Sequence, residues 1–266
     1  MLDIVANQKP MPHLKTKLAI LAGKQQGKFF HLFLCQMLLL SISPYLEQRG
    51  WALVIYLLLG AAVFVSGVYA VSDSQAQRVA ALALVVPAGA MDAYVALRGD
   101  SRIAVPALVF TILFLVFTLV SLLRAILRDQ RVTHDTIYGA LNVYLLMGLG
   151  WSMAYLLLFT VQPHAFVIGA AHATRVLSWF DCEYYSFVTL TTVGYGDIVP
   201  VTAQARSLAM MEAMSGTMYV AILIARLVGL HSATNVKTRA EVVPFNKTKH
   251  FNVVNNFKGK PEDESS

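Results

Sequence analysis

The chain has 266 residues, 57% of them hydrophobic and 14% charged, with a formal net charge of +6. Soluble domains carry about 25% charged residues, so this composition excludes an ordinary cytosolic enzyme, a disordered chain and a disulfide-built secreted module. Mean hydropathy is +0.59 and the pI about 9.3, yet the basic residues lie between apolar runs and form no single patch. They read as membrane flanks and not as a nucleic-acid surface. Cys35 and Cys182 are the two cysteines, too few for a disulfide framework or a metal cluster.

A membrane-spanning helix needs about 20 apolar residues. Six stretches approach that length: 29–46, 51–71, 79–97, 103–123, 140–161 and 203–230. The first is the shortest and carries His31 and Pro44. It does not read as a cleavable signal, because polar-rich residues 1–28 precede it and no small-residue cleavage site follows. The alternation of a membrane β-barrel is absent, so the fold class expected is an all-α membrane protein. With the N-terminus inside, sixteen Lys and Arg residues fall on the inner side and five (Arg49, Arg98, Arg102, Arg175 and Arg206) outside. This bias places both termini in the cytoplasm.

The organisation that follows is a cytoplasmic segment 1–28, a four-helix membrane domain 29–123, a linker helix 124–139, a pore domain 140–230 and a short tail 231–266. The fourth stretch holds no arginine. Arg124, Arg128 and Arg131 come after it at helical spacing and read as an amphipathic linker on the inner surface. A voltage sensor needs several such charges inside the bilayer, each worth about 2.3 kcal/mol per 100 mV. Asp92 in the third stretch has no evident cationic partner in the fourth. Steep voltage dependence is therefore not expected.

Residues 162–202 are too long for a simple turn, and their apolar run 179–193 is too short to span. Such runs are candidates for re-entrant segments. A short helix is expected over 181–191, with Asp181 and Glu183 at its N-terminus and its carbonyl end facing a cation.

The string Thr189-Leu-Thr-Thr-Val-Gly-Tyr-Gly-Asp197 matches the signature of potassium channels, and the chain resembles that family over about 140–230. The resemblance implies a selectivity-filter loop between helices 5 and 6. In it the carbonyls of Thr192, Val193, Gly194 and Tyr195 and the Thr192 hydroxyl replace the water of a dehydrated K+. Gly194 and Gly196 reach positive φ without a Cβ penalty, Asp197 stands at the outer mouth, and Tyr184 and Tyr185 form the aromatic cuff behind the loop. Position 188 is Val, where some bacterial relatives carry a carboxylate that bonds the filter aspartate.

Gly216 matches the hinge glycine of many relatives, although a glycine there also serves close helix packing. In the same register Thr217, Val220, Ile224 and Val228 face the cavity or gate. Glu212 is a carboxylate inside an apolar helix, read either as a proton sensor or as a neutral, hydrogen-bonded structural residue. Burial disfavours the ionised form and so favours the second reading. His31 is a further residue that could sense pH.

One filter strand per chain implies a homotetramer. The expected partners are three further copies and membrane lipid, with no nucleic acid, no soluble ligand domain and no cofactor beyond the permeant K+. The function expected is passive, potassium-selective conduction with weak or no voltage gating. The alternatives are a voltage-dependent or pH-gated potassium channel, or a non-conducting co-assembling subunit. Transporters place broken helices in two matching halves, and these halves do not match. Neither a Cys/His pair nor a carboxylate pair converges for an enzyme. The compact single-pore form points to a bacterial inner membrane.

Overall fold

A computed structural model describes residues 28–45, 50–71, 74–99, 101–128, 133–169 and 177–242. Residues 1–27 of the expected segment 1–28, the residues Arg49, Arg131 and Arg175, and the tail beyond 242 lie outside that set. The described chain is mostly helical: α1 (Lys28–Ile42, followed by a 3-10 turn Ser43–Tyr45), α2 (Gly50–Val71), α3 (Gln75–Arg98), α4 (Ser101–Arg128), α5 (His134–Val161), α6 (Trp179–Leu190) and α7 (Ala203–Val242). Two three-residue strands, β1 (Phe166–Ile168) and β2 (Ile198–Pro200), pair antiparallel with Val167 opposite Val199. An all-α expectation misses this pair, because three-residue strands are too short to show an alternating pattern.

Among the described residues, four helices are long and apolar enough to cross a membrane: Gln75–Arg98, Arg102–Arg128, His134–Val161 and Ala203–Leu230. Two apolar helical segments are shorter, Phe29–Tyr45 and Leu57–Ala70. Arg124 and Arg128 stand exposed on the last turns of α4. They continue the fourth helix and do not open a separate linker helix at 124, since nothing between Ile103 and Arg128 breaks the helix once Pro106 has passed in its first turns. The inner helix likewise runs past the expected boundary at 230, to Val242.

Helix ends follow local chemistry. Ser74 caps α3 through Gln77 N, and Gly99 closes it at φ 67° with its N–H on Val95 O, a conformation that favours glycine. Thr133 and Thr136 form a reciprocal capping box at the start of α5.

Packing centres on α5, which lies against α1, α4 and α6. On α1 the buried positions Leu32, Gln36, Leu39 and Ser43 recur at spacings of four and three, one helical face, whereas His31 lies on the exposed side against the edge of Phe30. Asn142 Nδ2 donates to Phe29 O at 2.6 Å and joins the N-terminal parts of α5 and α1. The first core cluster holds Phe114, Leu115 and Leu122 of α4 with Val143, Leu146 and Leu149 of α5. Between helices in lipid, such side chains contribute through close van der Waals packing. Asp92 on α3 accepts a 2.9 Å hydrogen bond from Thr111 on α4, so its partner is a hydroxyl and not a cation. The chain divides into two compact units, Met1–Leu223 and Ile224–Ser266. In the second, Ile224 and Val228 are exposed.

Candidate functional site

The site grows from the N-terminus of α6. Ser178 Oγ accepts from Asp181 N at 3.1 Å, and Asp181 Oδ2 accepts from Ser178 N at 2.8 Å. This capping box starts the helix at Trp179, two residues before the expected start. Asp181 thus serves the cap, whereas Glu183 is buried and faces Ser43, at the end of the first helix. Burial pushes the Glu183 carboxyl up from 4.5 to about 8, with the Ser43 hydroxyl pulling the other way.

At the far end the chain turns back on its own helix. Thr192 N donates to Thr189 O at 2.9 Å, and Val193 N and Gly194 N both reach Val188 O, at 3.0 and 3.3 Å. The amides at the base of the loop are thereby used up, and the carbonyls that follow are left free. Among the described residues, φ is positive at Thr192 (61°), Gly194 (57°) and Gly196 (79°), and at no other non-glycine residue than Thr192. The sign of φ therefore alternates from 192 to 196. Alternation of this kind turns successive peptide planes the same way, so that carbonyls line one side of the strand. A Cβ added at Gly194 or Gly196 would meet nothing within 4 Å; the backbone conformation, and not crowding, requires glycine at both. Residues Thr191 to Asp197 are all exposed.

The C-terminal end of the loop is held by the chain's own side chains. Tyr184 donates to Asp197 Oδ2 at 2.7 Å, and its ring stacks on Tyr195 with centroids 6.4 Å apart and planes at 3°. Asp197 Oδ1 accepts from Ile198 N at 3.1 Å, and Asp197 O accepts from Gly169 N at 2.7 Å. With valine at 188, the Tyr184 phenol is a side chain that holds the filter aspartate. The two tyrosines of the expected cuff divide: Tyr184 stands against the loop, whereas Tyr185 packs inward on Tyr155 and Phe166, at 4.9 and 5.3 Å.

Behind the loop, α7 approaches closely. A Cβ at Gly216 would lie 2.5 Å from Leu190 O and 2.8 Å from Leu190 Cδ1. The close-packing alternative for this glycine thus has a direct contact behind it. Gly148 on α5 plays the same part for α6, where a Cβ would lie 2.5 Å from the Phe187 ring. Glu212 is fully buried; Tyr155 OH and Ser186 Oγ each lie 2.5 Å from its carboxyl oxygens. Trp151 Nε1 donates to Ser215 Oγ at 3.3 Å, and Ser215 Oγ donates to Glu212 O at 2.8 Å. Thr217 and Val220 sit on the exposed side of α7, as does Ile224 in the second unit. The structure therefore gathers Thr192–Asp197 with Tyr184, and separately Glu212 with Tyr155 and Ser186; it leaves His31 apart from both. Tyr155 and Ser186 escaped the sequence reading, and their one signal was a polar atom within an apolar run.

Comparison with known proteins agrees with this region. The family model described as "Ion channel" matches residues 143–231. Protein LctB of Bacillus caldotenax is 34% identical over 106 residues, covering 37% of this chain and 75% of that protein. The voltage-gated potassium channel Kch of Escherichia coli is 34% identical over 111 residues, 42% of this chain and 24% of that protein. Two pore potassium channel b of Oryza sativa subsp. japonica is 38% identical over 76 residues, 28% of this chain and 21% of that protein. No solved structure matches. The stretch that the family model matches carries the Thr189–Asp197 string, the capped short helix and most of the apolar part of α7, and by these comparisons the chain belongs to the potassium channel family.

Proposed function

We propose that the chain forms a homotetrameric pore selective for K+, which it conducts passively down its electrochemical gradient. The carrying observation is the alternation of φ sign from Thr192 to Gly196, which aims consecutive carbonyls of one strand at a common axis. Four such strands would stack oxygen cages that replace the water lost by K+. The Thr192 hydroxyl adds the lowest ring. The expected six spans are α1 to α5 and α7, with α6 re-entrant between the last two, both termini cytoplasmic and the membrane that of a bacterial cell. The capped start of α6 at Ser178 leaves about half a negative charge at its other end, beneath the loop.

Assembly is supported by what one chain leaves uncovered. Val193 and Tyr195 are 53% and 71% exposed, and Met210, Met211, Met214 and Met218 form an apolar row on α7. A face of this extent is one for lipid or for neighbouring copies to cover, and one filter strand per chain calls for four copies.

The test is flux into liposomes containing the purified chain, under a potassium gradient, with rubidium and sodium as competitors and a series of imposed voltages. Passage of potassium and rubidium with sodium excluded is the expected result. Equal passage of sodium would overturn the filter assignment. Absence of flux at every voltage and at acidic pH would favour a non-conducting, co-assembling subunit.

A further inference from the structure

The Glu212 cluster contains a proton-counting problem. Ser186 Oγ lies 2.5 Å from Glu212 Oε1 and 2.7 Å from Gly148 O. A serine hydroxyl has one proton to donate, and a backbone carbonyl can only accept. If the hydroxyl donates to Gly148, an ionised Oε1 faces a bare lone pair at 2.5 Å; if it donates to Glu212, Gly148 O faces one at 2.7 Å. Both separations belong to oxygens with a hydrogen between them. A second proton on Oε1 removes the conflict and leaves every group satisfied. Glu212 then donates to Ser186, Ser186 donates to Gly148, and Tyr155 donates to Oε2 at 2.5 Å.

We propose that Glu212 works as a protonated carboxylic acid whose hydrogen-bond relay through Ser186 positions the pore helix α6 between α5 and α7. The proposal rests on the reading of Thr192–Gly196 as a potassium filter and adds a positioning residue to it. The three bonded groups come from three different helices: Glu212 from α7, Ser186 from α6, and Tyr155 and Gly148 from α5. Ser186 lies in the turn of α6 just before the filter string begins at Thr189. The titratable groups facing the carboxyl are the phenols of Tyr144 and Tyr155 on α5 and of Tyr185 on α6. A neutral acid needs no countercharge, whereas an ionised one so deeply buried would.

Glutamine reproduces this pattern: its amide nitrogen donates to Ser186 and its oxygen accepts from Tyr155. Ionised glutamate and alanine do not. In the full-length channel reconstituted in liposomes, the infrared difference between wild type and Glu212→Gln at neutral pH is expected to contain a protonated-carboxyl C=O stretch. That stretch should shift in Ser186→Ala, where its acceptor is gone. Discrimination of rubidium from sodium is expected to fall about tenfold in the wild type as pH rises, the loss of one buried hydrogen bond. Glu212→Gln should stay flat, and Glu212→Ala should be low at every pH. Absence of the band overturns the assignment. A pH-independent wild type, or a Gln variant that declines in parallel with it, overturns the positioning role. A wild type that carries the band but never discriminates rubidium from sodium refutes the filter reading and leaves the proton on Glu212 standing.

Discussion

Thr192 is the most strained residue of the loop, a β-branched side chain at φ 61°, where about 1–2 kcal/mol is ordinarily lost. The bonds from the following amides to Val188 O hold it there. Strain kept in place by surrounding bonds is a mark of functional loops. Gly196, at φ 79°, would carry the same penalty with any side chain. Gly196→Ala is expected to abolish selective potassium flux while the assembly still elutes as the wild type does. Normal flux in that variant, measured in liposomes, would remove this residue from the filter. Buried Glu183 gives a second measurement at this scale. With its carboxyl raised from 4.5 to about 8, the folded chain holds a proton there that the unfolded chain gives up. Stability should therefore fall as pH rises between those two values and level off above the higher one. Glu183→Gln removes that slope, so the difference in thermal unfolding midpoint between variant and wild type is expected to widen from pH 5 to pH 8.

At the scale of the element, α6 is the piece around which others are fitted. Its start is fixed by Ser178 and Asp181, its flank by Gly148 and its end by Gly216. Gly216→Ala sets a methyl 2.5 Å from a backbone carbonyl, which cannot swing aside as a side chain can. Overpacking of this kind costs about 1–3 kcal/mol, and a lower midpoint of thermal dissociation should register it. A variant as stable as the wild type but altered in opening would return the glycine to the role of hinge. The apolar helices and the filter string were legible because they are local: one depends on a run of side chains, the other on nine consecutive residues from Thr189 to Asp197. The cluster around Glu212 was not. Its partners lie 57 and 26 residues away in the chain, and only the fold brings them together. The β1–β2 pair escaped for the same reason, since its register is set by the closure of a long loop. The expected start of α6 lies two residues late, because it takes Asp181 as the first residue of the helix, whereas Asp181 is the third and reaches back to the Ser178 cap.

For the whole molecule, the decisive fact is where charge is and is not. Along α4, Arg102 stands in the first turn and Arg124 and Arg128 in the last turns, with no arginine between. A field across the membrane therefore has no sensor arginine in this helix to move. Flux measured over a voltage series is expected to follow the driving force alone. A steep, sigmoid rise in open probability would contradict this and require charges elsewhere. The apolar side of α7 makes the complementary point, because its exposed methionines and the bare filter strand are surfaces that one chain cannot cover by itself.

The strand from Thr192 to Asp197 is tied to its own chain by several bonds: amides to Val188 and Thr189, Tyr184 to Asp197, and Gly169 to Asp197. This has a consequence for the order of events in biogenesis. On the proposed tetrameric reading, a subunit would give its strand the final curvature before any neighbour arrives, and the entropy of ordering the loop would be lost during folding and not during association. Assembly would accordingly be limited by encounter in the plane of the lipid, not by rearrangement after contact.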